Sequence, residues 1–339
     1  MMFEIDGRVG EGGGQILRTA LTLSMLLKCG VQIRNIRAGR PKPGLMRQHL
    51  ACVLAAQEVC GAEVCGAQLG SQALEFYPGA VKGGQFCFDI GSAGSTTLLF
   101  QTILLPLLSA SEPSQVVLKG GTHNPMAPSL TFIEKSFLPL LRAMGAELSI
   151  DVARWGYMPA GGGEWRVDIT PKPLRPIERT ERGPVIESQV IAYLSGLKRN
   201  IAERELAEYE KLTPISPSKW GVLHPEANCS GNLLTHELSF SHGGYCFAEL
   251  GEVRLRAETV AQRLHQQVQA FMAENIVLDA HLTDQMMLPM WFAGGGRFAV
   301  GDLTEHAATN RLLIERLTGC QFQLEQREGR NLLSLTNCD

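Results

Sequence analysis

The chain has 339 residues, enough for two or three domains or one large domain of several units, and its apolar content is ordinary. A formal net charge of −3 gives no global attraction to nucleic acid or to an anionic membrane surface. No uninterrupted apolar stretch is long enough to span a bilayer, and the start, Met1 to Gly7, lacks the charged-then-apolar pattern of a secretion signal. Nine scattered cysteines without a Cys-x-x-Cys argue against a zinc site or a disulfide framework and fit a reducing, cytoplasmic setting.

The first distinctive segment is Gly10-Glu11-Gly12-Gly13-Gly14-Gln15, closed by Arg18. It opens onto the apolar run Ile16 to Leu27, which predicts a helix. Consecutive glycines let backbone approach a partner closely, or turn where other residues cannot. At a helix N-terminus they offer free N–H groups and a positive dipole end to an anion, and Arg18 adds a fork for phosphate. Glu11 is suited either to hold a divalent cation or to stabilise the helix N-terminus. Through residue 50 the cations Arg8, Arg18, Lys28, Arg34, Arg37, Arg40, Lys42 and Arg47 face only Glu4, Asp6 and Glu11. A local basic site in an acidic protein predicts a phosphorylated ligand held at one place, not a coated duplex.

Three segments then share one plan of strand, glycine-containing loop, helix, glycine stop and strand. The first runs from Ile36 through Gly44, with a helix from about Leu45 to Val59 and a stop at Gly61. The second runs from Leu118 through Pro125, with a helix from about Ser129 to Met144 and a stop at Gly145. The third runs from Phe298 through His306, with a helix from about Thr309 to Leu317 and a stop at Gly319. Each is preceded by a further helix: Ile16 to Leu27, Leu98 to Leu108 after Gly91-Ser92-Ala93-Gly94-Ser95, and Met286 to Phe292 after Thr283-Asp284-Gln285. Such repetition predicts units packed around a shared axis in a layered α/β or α+β architecture. Pro106, Pro139 and Pro289 should bend or end their helices.

Residues 185–277 do not fit the repeat and read as a smaller insert. Val185 to Tyr193 predicts a strand, Ile201 to Leu212 a helix, and Thr213 to Gly231 a loop rich in Pro, Ser and Gly. Leu234 to Leu250 predicts a hairpin turning at Gly243-Gly244. Val260, Leu264, Val268 and Phe271 then share one helical face.

The loop from Arg37 to His49 presents arginines on a backbone stiffened by Pro41 and Pro43, and with Arg18 it can clamp a polyphosphate. Neither the P-loop pattern nor a dinucleotide-binding Gly-x-Gly-x-x-Gly is present. His306 lies at the start of a helix, where extra positive charge is disfavoured and a neutral imidazole keeps a nitrogen free to attack phosphorus. His49 and His123 occupy comparable places in the first two units, so position alone does not choose among the three. His224, His236, His242 and His265 lie in the insert, and no His-x-x-x-His metal spacing occurs.

Taken together, Glu11 to Arg18, Arg37-Ala38-Gly39-Arg40, Pro43-Gly44-Leu45, Arg47-Gln48-His49, Gly91 to Ser95, Asp284-Gln285, Leu288-Pro289, and His306 with Thr309-Asn310 resemble the RNA 3'-terminal phosphate cyclase family from end to end. The resemblance is to its catalytic branch, since the ribosome-biogenesis relatives lack the nucleophilic histidine. It implies three βαβαββ-type units around a pseudo-threefold axis, formed by residues 1–184 and 278–339, with a smaller α/β domain inserted at 185–277. It also implies ATP and Mg2+ or Mn2+ as cofactors, RNA with a 3'-phosphate end as partner, no membrane partner, and a homodimer by analogy.

Carried over residue by residue, the resemblance makes His306 the nucleophile toward the α-phosphorus of ATP and Glu11 the metal ligand. Arg18, Arg37, Arg40 and Gln48 would bind the polyphosphate, and Arg18, Arg40, Arg47 and His49 the RNA phosphate. Gln101, Pro128 and the segment His281, Leu282, Thr283, Asp284 and Gln285 would shape the adenylate pocket, with Asp284 placing the nucleophile. The chain departs from some members at His281, where they carry a tyrosine stacked on adenine; histidine stacks with less area. Two alternatives from other classes are a non-catalytic RNA-processing relative on the same fold and an enolpyruvyl transferase, which would form no covalent nucleotide.

Overall fold

In the computed structural model, which describes residues 2–327 and 329–335, the strands and helices read from the sequence condense into four mixed four-stranded sheets. The first sheet is built by β1 (Met2–Asp6), α1 (Gln15–Leu27), β2 (Gly30–Arg34), α2 (Arg47–Cys60), β3 (Glu63–Cys65) and β4 (Leu74–Tyr77). Its order is β1-β2-β4-β3, with β1 and β2 parallel and the other two pairings antiparallel. The second unit comprises β5 (Gly84–Asp89), α3 (Thr96–Leu108), β6 (Ser114–Gly120), the segmented helix α4 (Leu130–Phe132), a π-helical turn (Ile133–Phe137) and α5 (Leu138–Ala143), then β7 (Glu147–Arg154) and β8 (Gly163–Thr170). Its order, β5-β6-β8-β7, repeats the first pattern, again with one parallel and two antiparallel pairings.

The third unit starts at β9 (Glu178–Arg179), breaks off, and resumes after the insert. The insert contains β10 (Val185–Ser195), α6 (Asn200–Leu212), β11 (Lys219–Leu223), β12 (Gly231–Phe240), β13 (Gly243–Leu250) and α7 (Ala257–Ala273), with a sheet of its own in the order β11-β10-β12-β13. The chain returns through α8 (Ala280–Phe292), β14 (Gly296–Val300), α9 (Glu305–Thr318), β15 (Phe322–Arg327) and β16 (Arg330–Leu335). Read as β9-β14-β16-β15, the third sheet has the connectivity of the other two. The protein is therefore α+β, with one βαβαββ connectivity used three times.

Burial explains which helices sit centrally. α3 is apolar on nearly every face, with Leu99, Phe100, Ile103 and Leu107 fully buried, as expected of a helix packed on all sides. Trp165 of β8 meets Phe100 edge-on at 5.2 Å between ring centroids and donates its indole N–H to Thr96 Oγ1 at 2.9 Å. Side-chain caps fix the starts of α3, α8 and α9: Ser95, Asp279 and Thr304 accept from Leu98, Leu282 and Ala307 backbone N–H groups. α1 and α2 have no such cap, so their first N–H groups are left for another acceptor.

Several local expectations change. The residues 213–231 hold a strand, β11, which pairs parallel with β10. The hairpin turn lies at Ser241-His242, with Phe240 opposite Gly243 at its end. α8 starts at Ala280, six positions ahead of Met286, because Asp279 supplies an N-cap upstream of the apolar run. α9 starts at Glu305, so His306 lies within the first helical turn. Pro106 and Pro289 are tolerated inside α3 and α8, which end soon after at Leu108 and Phe292; Pro139 follows the π-helical turn at the start of α5. Cys320 is disulfide-bonded, an exception to the expected absence of disulfides. No helix among the described residues is long and apolar enough to cross a membrane.

Leu21 of α1 is fully buried in the shared core. Leu21→Ala should destabilise the protein by about 2–5 kcal/mol, read as a lowered urea midpoint with an unchanged slope.

Candidate active site

The glycine run bends back on itself so that Glu11 points inward. Its backbone N–H donates to Thr309 Oγ1 at 3.2 Å, a contact spanning 298 residues of sequence. Its carboxylate is only 8% exposed, and one oxygen, Oε2, receives both Arg40 Nη2 and His306 Nε2 at 2.8 Å. Most other ion pairs of the protein are exposed and contribute less than about 1 kcal/mol each. Glu11 is different in that its carboxylate is buried while its partners, Arg40 and His306, are 35% and 48% exposed, so solvent screens the pairs only in part.

The glycines are explained by what surrounds them. A Cβ at Gly13 would collide with Glu11 Oε1, one at Gly14 with the ring of His49, and one at Gly10 with Thr309. Gly12 has a left-handed φ of +57° and lies against the Gly39 backbone, to which its carbonyl is hydrogen-bonded at 3.0 Å. The run therefore clears room for functional side chains, in addition to leaving the start of α1 open.

α9 is fastened to this end of the molecule by a second row of contacts. Thr19 Oγ1 donates to Asn310 Oδ1 at 2.8 Å, and Asn310 Nδ2 donates to the Asp284 carbonyl at 2.8 Å. Both Thr19 and Asn310 are 3% exposed. On the other ring nitrogen, His306 Nδ1 faces Gln15 Oε1 at 2.9 Å, and Gln15 Nε2 donates to Asp284 Oδ2 at 3.1 Å.

His306, Arg18, Gln15, Gln101, Pro128, His281, Asp284 and Gln285 line one cavity of about 900 Å³. Gln101 Nε2 donates to Gln285 Oε1 at 2.6 Å, joining α3 to α8 across its floor. The Pro128 carbonyl is held by Thr97 Oγ1 at 2.7 Å. The insert supplies the opposite wall, from Tyr245 to Leu250 and at Phe271, and contributes Glu249, Glu252 and Glu274. The cavity thus has an arginine-bearing end and an acidic wall.

Arg18 opens on this cavity while protein surrounds it elsewhere; burial lowers its pKa from the ordinary arginine value. With no side-chain hydrogen bond or ion pair among the described residues, a guanidinium in such a place favours an anion. Asp284 is pushed up to about 6 by burial, against the opposing hydrogen bond from Gln15.

The three histidines separate on geometry. His123 is held between Thr122 and Thr131 and stacked on Trp155 at 3.8 Å, and burial pushes it down to about 3, so it is a packed, neutral ring. His49 is also pushed down to about 3, by burial first and then by Arg18, Arg37 and Arg40; its Nδ1 has no partner among the described residues. His306 alone of the three faces the cavity, with its side chain 48% exposed.

Other expected site residues play supporting parts in this structure. Arg37, at a left-handed φ of +58°, directs Nη1 to the Lys42 and Gly44 carbonyls at 2.6 and 2.9 Å, tying the proline-containing loop. Gln48 accepts from the Ser95 backbone N–H at 2.9 Å, and Arg47 donates to the Gly91 carbonyl at 3.1 Å. Leu282 and Thr283 are buried, 1% and 2% exposed, and do not line the cavity. Gln15, Thr309 and Asn310 are the residues whose parts sequence reasoning left unassigned, although all three stand inside the quoted motifs.

For a metal, the described residues offer a single carboxylate. No group of three or more His, Cys, Asp or Glu side chains able to hold a metal ion exists among the described residues. Glu11 Oε1, however, is buried without a partner among them. That fits a divalent cation that brings its own phosphate oxygens and needs one carboxylate from the protein.

An open imidazole, a buried guanidinium and an adjustable carboxylate around one cavity define a protein built to handle an anionic, phosphorylated ligand. Residues 9–324 match the family described as RTC: RNA 3'-terminal phosphate cyclase. Similar proteins carrying that name come from Pseudomonas fluorescens (strain Pf-5), 45% identical over 320 residues covering 92% of this chain and 91% of the relative, and from Ectopseudomonas mendocina (strain ymp), 41% identical over 335 residues covering 97% and 96%. A third, from Koribacter versatilis (strain Ellin345), is 40% identical over 340 residues covering 100% and 96%. The chain belongs to the RNA 3'-terminal phosphate cyclase family.

The raised Asp284 carboxyl makes a pH prediction. The folded chain binds this proton more tightly than the unfolded one, whose Asp titrates at about 3.9. Its burial therefore weakens the fold above about pH 6, and the penalty fades as pH falls from about 6 to about 4. Asp284→Asn should exceed the parent in urea stability at pH 8, with the difference shrinking through that window.

Proposed function

We propose that this chain converts an RNA 3'-terminal phosphate to a 2',3'-cyclic phosphodiester at the expense of ATP, through an adenylyl group carried on His306. The observation that carries the reading is the meeting of His306 Nε2 and Arg40 on one Glu11 oxygen, with His306 and Arg18 lining the adjoining cavity, which puts a nucleophile beside a phosphate clamp. In the first step Nε2 attacks the α-phosphorus; an N–P bond forms, the bond to the bridging oxygen breaks, and pyrophosphate leaves with the electron pair. Arg18 and Arg40 neutralise the leaving group. For this, polyphosphate replaces Glu11 as the partner of Arg40, and the hydrogen that Nε2 presents to Glu11 Oε2 leaves through that carboxylate to solvent, freeing the nitrogen's lone pair. A divalent cation on Glu11 Oε1 would supply further charge neutralisation on the phosphates.

The acidic wall of the insert opposes phosphate, so the nucleotide lies with its charged end toward Arg18 and its base toward Gln101, Pro128 and His281. In the second step an oxygen of the RNA 3'-phosphate attacks the adenylyl phosphorus, the N–P bond breaks, and the imidazole is regenerated. The RNA end is now an anhydride whose leaving group is AMP. In the third, the neighbouring 2'-hydroxyl attacks the 3'-phosphorus, loses its proton to solvent and expels AMP; proximity makes this step largely a matter of orientation. Neutral His49, among Arg18, Arg37 and Arg40, supports the phosphate end without adding charge.

Incubation with α-labelled ATP and Mg2+ should give an acid-labile, alkali-stable protein–AMP adduct. His306→Ala should abolish it, whereas His49→Ala should lower cyclase activity and keep the attachment site. Label persisting in His306→Ala would place the nucleophile elsewhere. Arg40→Lys keeps a charge but loses the planar fork and should cost most of the adenylylation rate; an unchanged single-turnover rate would rule out the clamp.

A further inference from the structure

Asp284 and His306 make no direct hydrogen bond among the described residues; Gln15 stands between them. We propose that Gln15 is a positioning residue through which Asp284 fixes the orientation of the His306 ring and keeps the hydrogen on Nδ1, leaving Nε2 as the attacking nitrogen; this rests on the adenylyl-transfer reading above.

The argument starts from what an ionised carboxylate can do. It only accepts hydrogen bonds, so the Gln15 amide must turn its NH2 toward Asp284 Oδ2, at 3.1 Å. The amide oxygen is then the only Gln15 side-chain atom left for the ring, and it lies 2.9 Å from Nδ1. Glu11 Oε2 is likewise an acceptor at Nε2, so the two contacts together use a hydrogen on each ring nitrogen; once Glu11 has drawn off the one on Nε2, the amide oxygen holds the other on Nδ1. When Nε2 bonds to phosphorus the ring becomes cationic, and the same Nδ1–H to amide contact grows stronger.

The frame around this bridge is rigid. Gln15 and Thr19 are four residues apart on α1, as are His306 and Asn310 on α9, so each pair shares a helix face. The lower pair repeats the bridge one turn deeper: Thr19 to Asn310, and Asn310 to the Asp284 carbonyl. Asp284 is thus gripped through its side chain by the upper rung and through its main chain by the lower one. Glu11 acts at the opposite ring nitrogen, so the two contacts have different parts: Glu11 caps Nε2 until substrate arrives, and Gln15 stays with Nδ1 throughout.

The test compares Gln15→Met, Gln15→Glu, Asp284→Asn and the exchange double variant Gln15→Glu/Asp284→Asn. Gln15→Met keeps side-chain length but removes the acceptor. With α-labelled ATP at saturation, its adduct should form about 10²-fold more slowly, with half-saturating ATP within about threefold of the parent. Gln15→Glu sets two carboxylates face to face, and Asp284→Asn frees the Gln15 amide to turn over; both should be slow. The double variant restores the sequence of donor and acceptors. Its amide, now at position 284, donates to the carboxylate now at position 15, and that carboxylate accepts from Nδ1. It should exceed the slower single variant by about tenfold or more, a gain that loss of packing alone does not produce.

A second readout needs no nucleotide. The hydrogen-bonded Nδ1–H of His306 should give a low-field proton resonance at low temperature, identified by its absence in His306→Ala. It should persist in the double variant and vanish in Gln15→Met. Gln15→Met that adenylylates at the parent rate, or a double variant no faster than either single one, would overturn the proposal. Should Gln15→Met fail to fold, the double variant and its resonance decide. Label that does not depend on His306, with the resonance behaving as stated, would instead overturn the functional reading and leave the bridge standing.

Discussion

One carboxylate oxygen holds the functional end of this protein together. Glu11 Oε2 receives a guanidinium from the loop after β2 and an imidazole from α9, so the first and third units meet at one atom. In a place this sheltered, the cost of leaving that oxygen without cations far exceeds the worth of an exposed ion pair. Much of the neighbouring sequence follows from the need to seat it. The glycines beside it have no side chains because carboxylate, imidazole and threonine occupy that space. The other oxygen has no partner among the described residues, which ties the resting arrangement to the ligand the site is suited to receive.

The rest of the molecule places the starts of α1, α2 and α9 around that point. α1 and α2 begin there without side-chain caps, whereas α3, α8 and α9 carry their own. The difference is physical: a capped helix has used its first donors, and an uncapped one keeps them for an incoming anion. The insert has a part in this as well. Its β13 and α7 form a wall of the same cavity that carries Glu249 and Glu274, while the core side carries Arg18 together with Asp279, Asp284 and Asp302.

Much of the fold was legible because its units repeat. Strand, loop, helix and stop recur at matching places, and the three core sheets share one connectivity. The boundaries were less legible where a single capping residue outweighs a run of apolar ones: Asp279 draws the start of α8 upstream, and Thr304 brings His306 into the helix. β11 escaped notice because Pro and Ser flank a short strand whose support comes from pairing with β10. At the site, residue types and order identified Glu11, Arg18, Arg40 and His306 as candidates. What they could not convey is which partner each side chain selects. Arg37 turns back to loop carbonyls, Gln48 reaches another helix start, and Gln15, silent in the sequence, meets the imidazole. Those choices depend on distances across the chain, which no local pattern encodes.

The contact between Glu11 and Thr309 closes a loop of 298 residues. Synthesis must therefore pass Thr309 before this contact can exist at all. Products that stop before His306 keep the glycine run, its arginines and His49 but lack the ring that meets Glu11 Oε2.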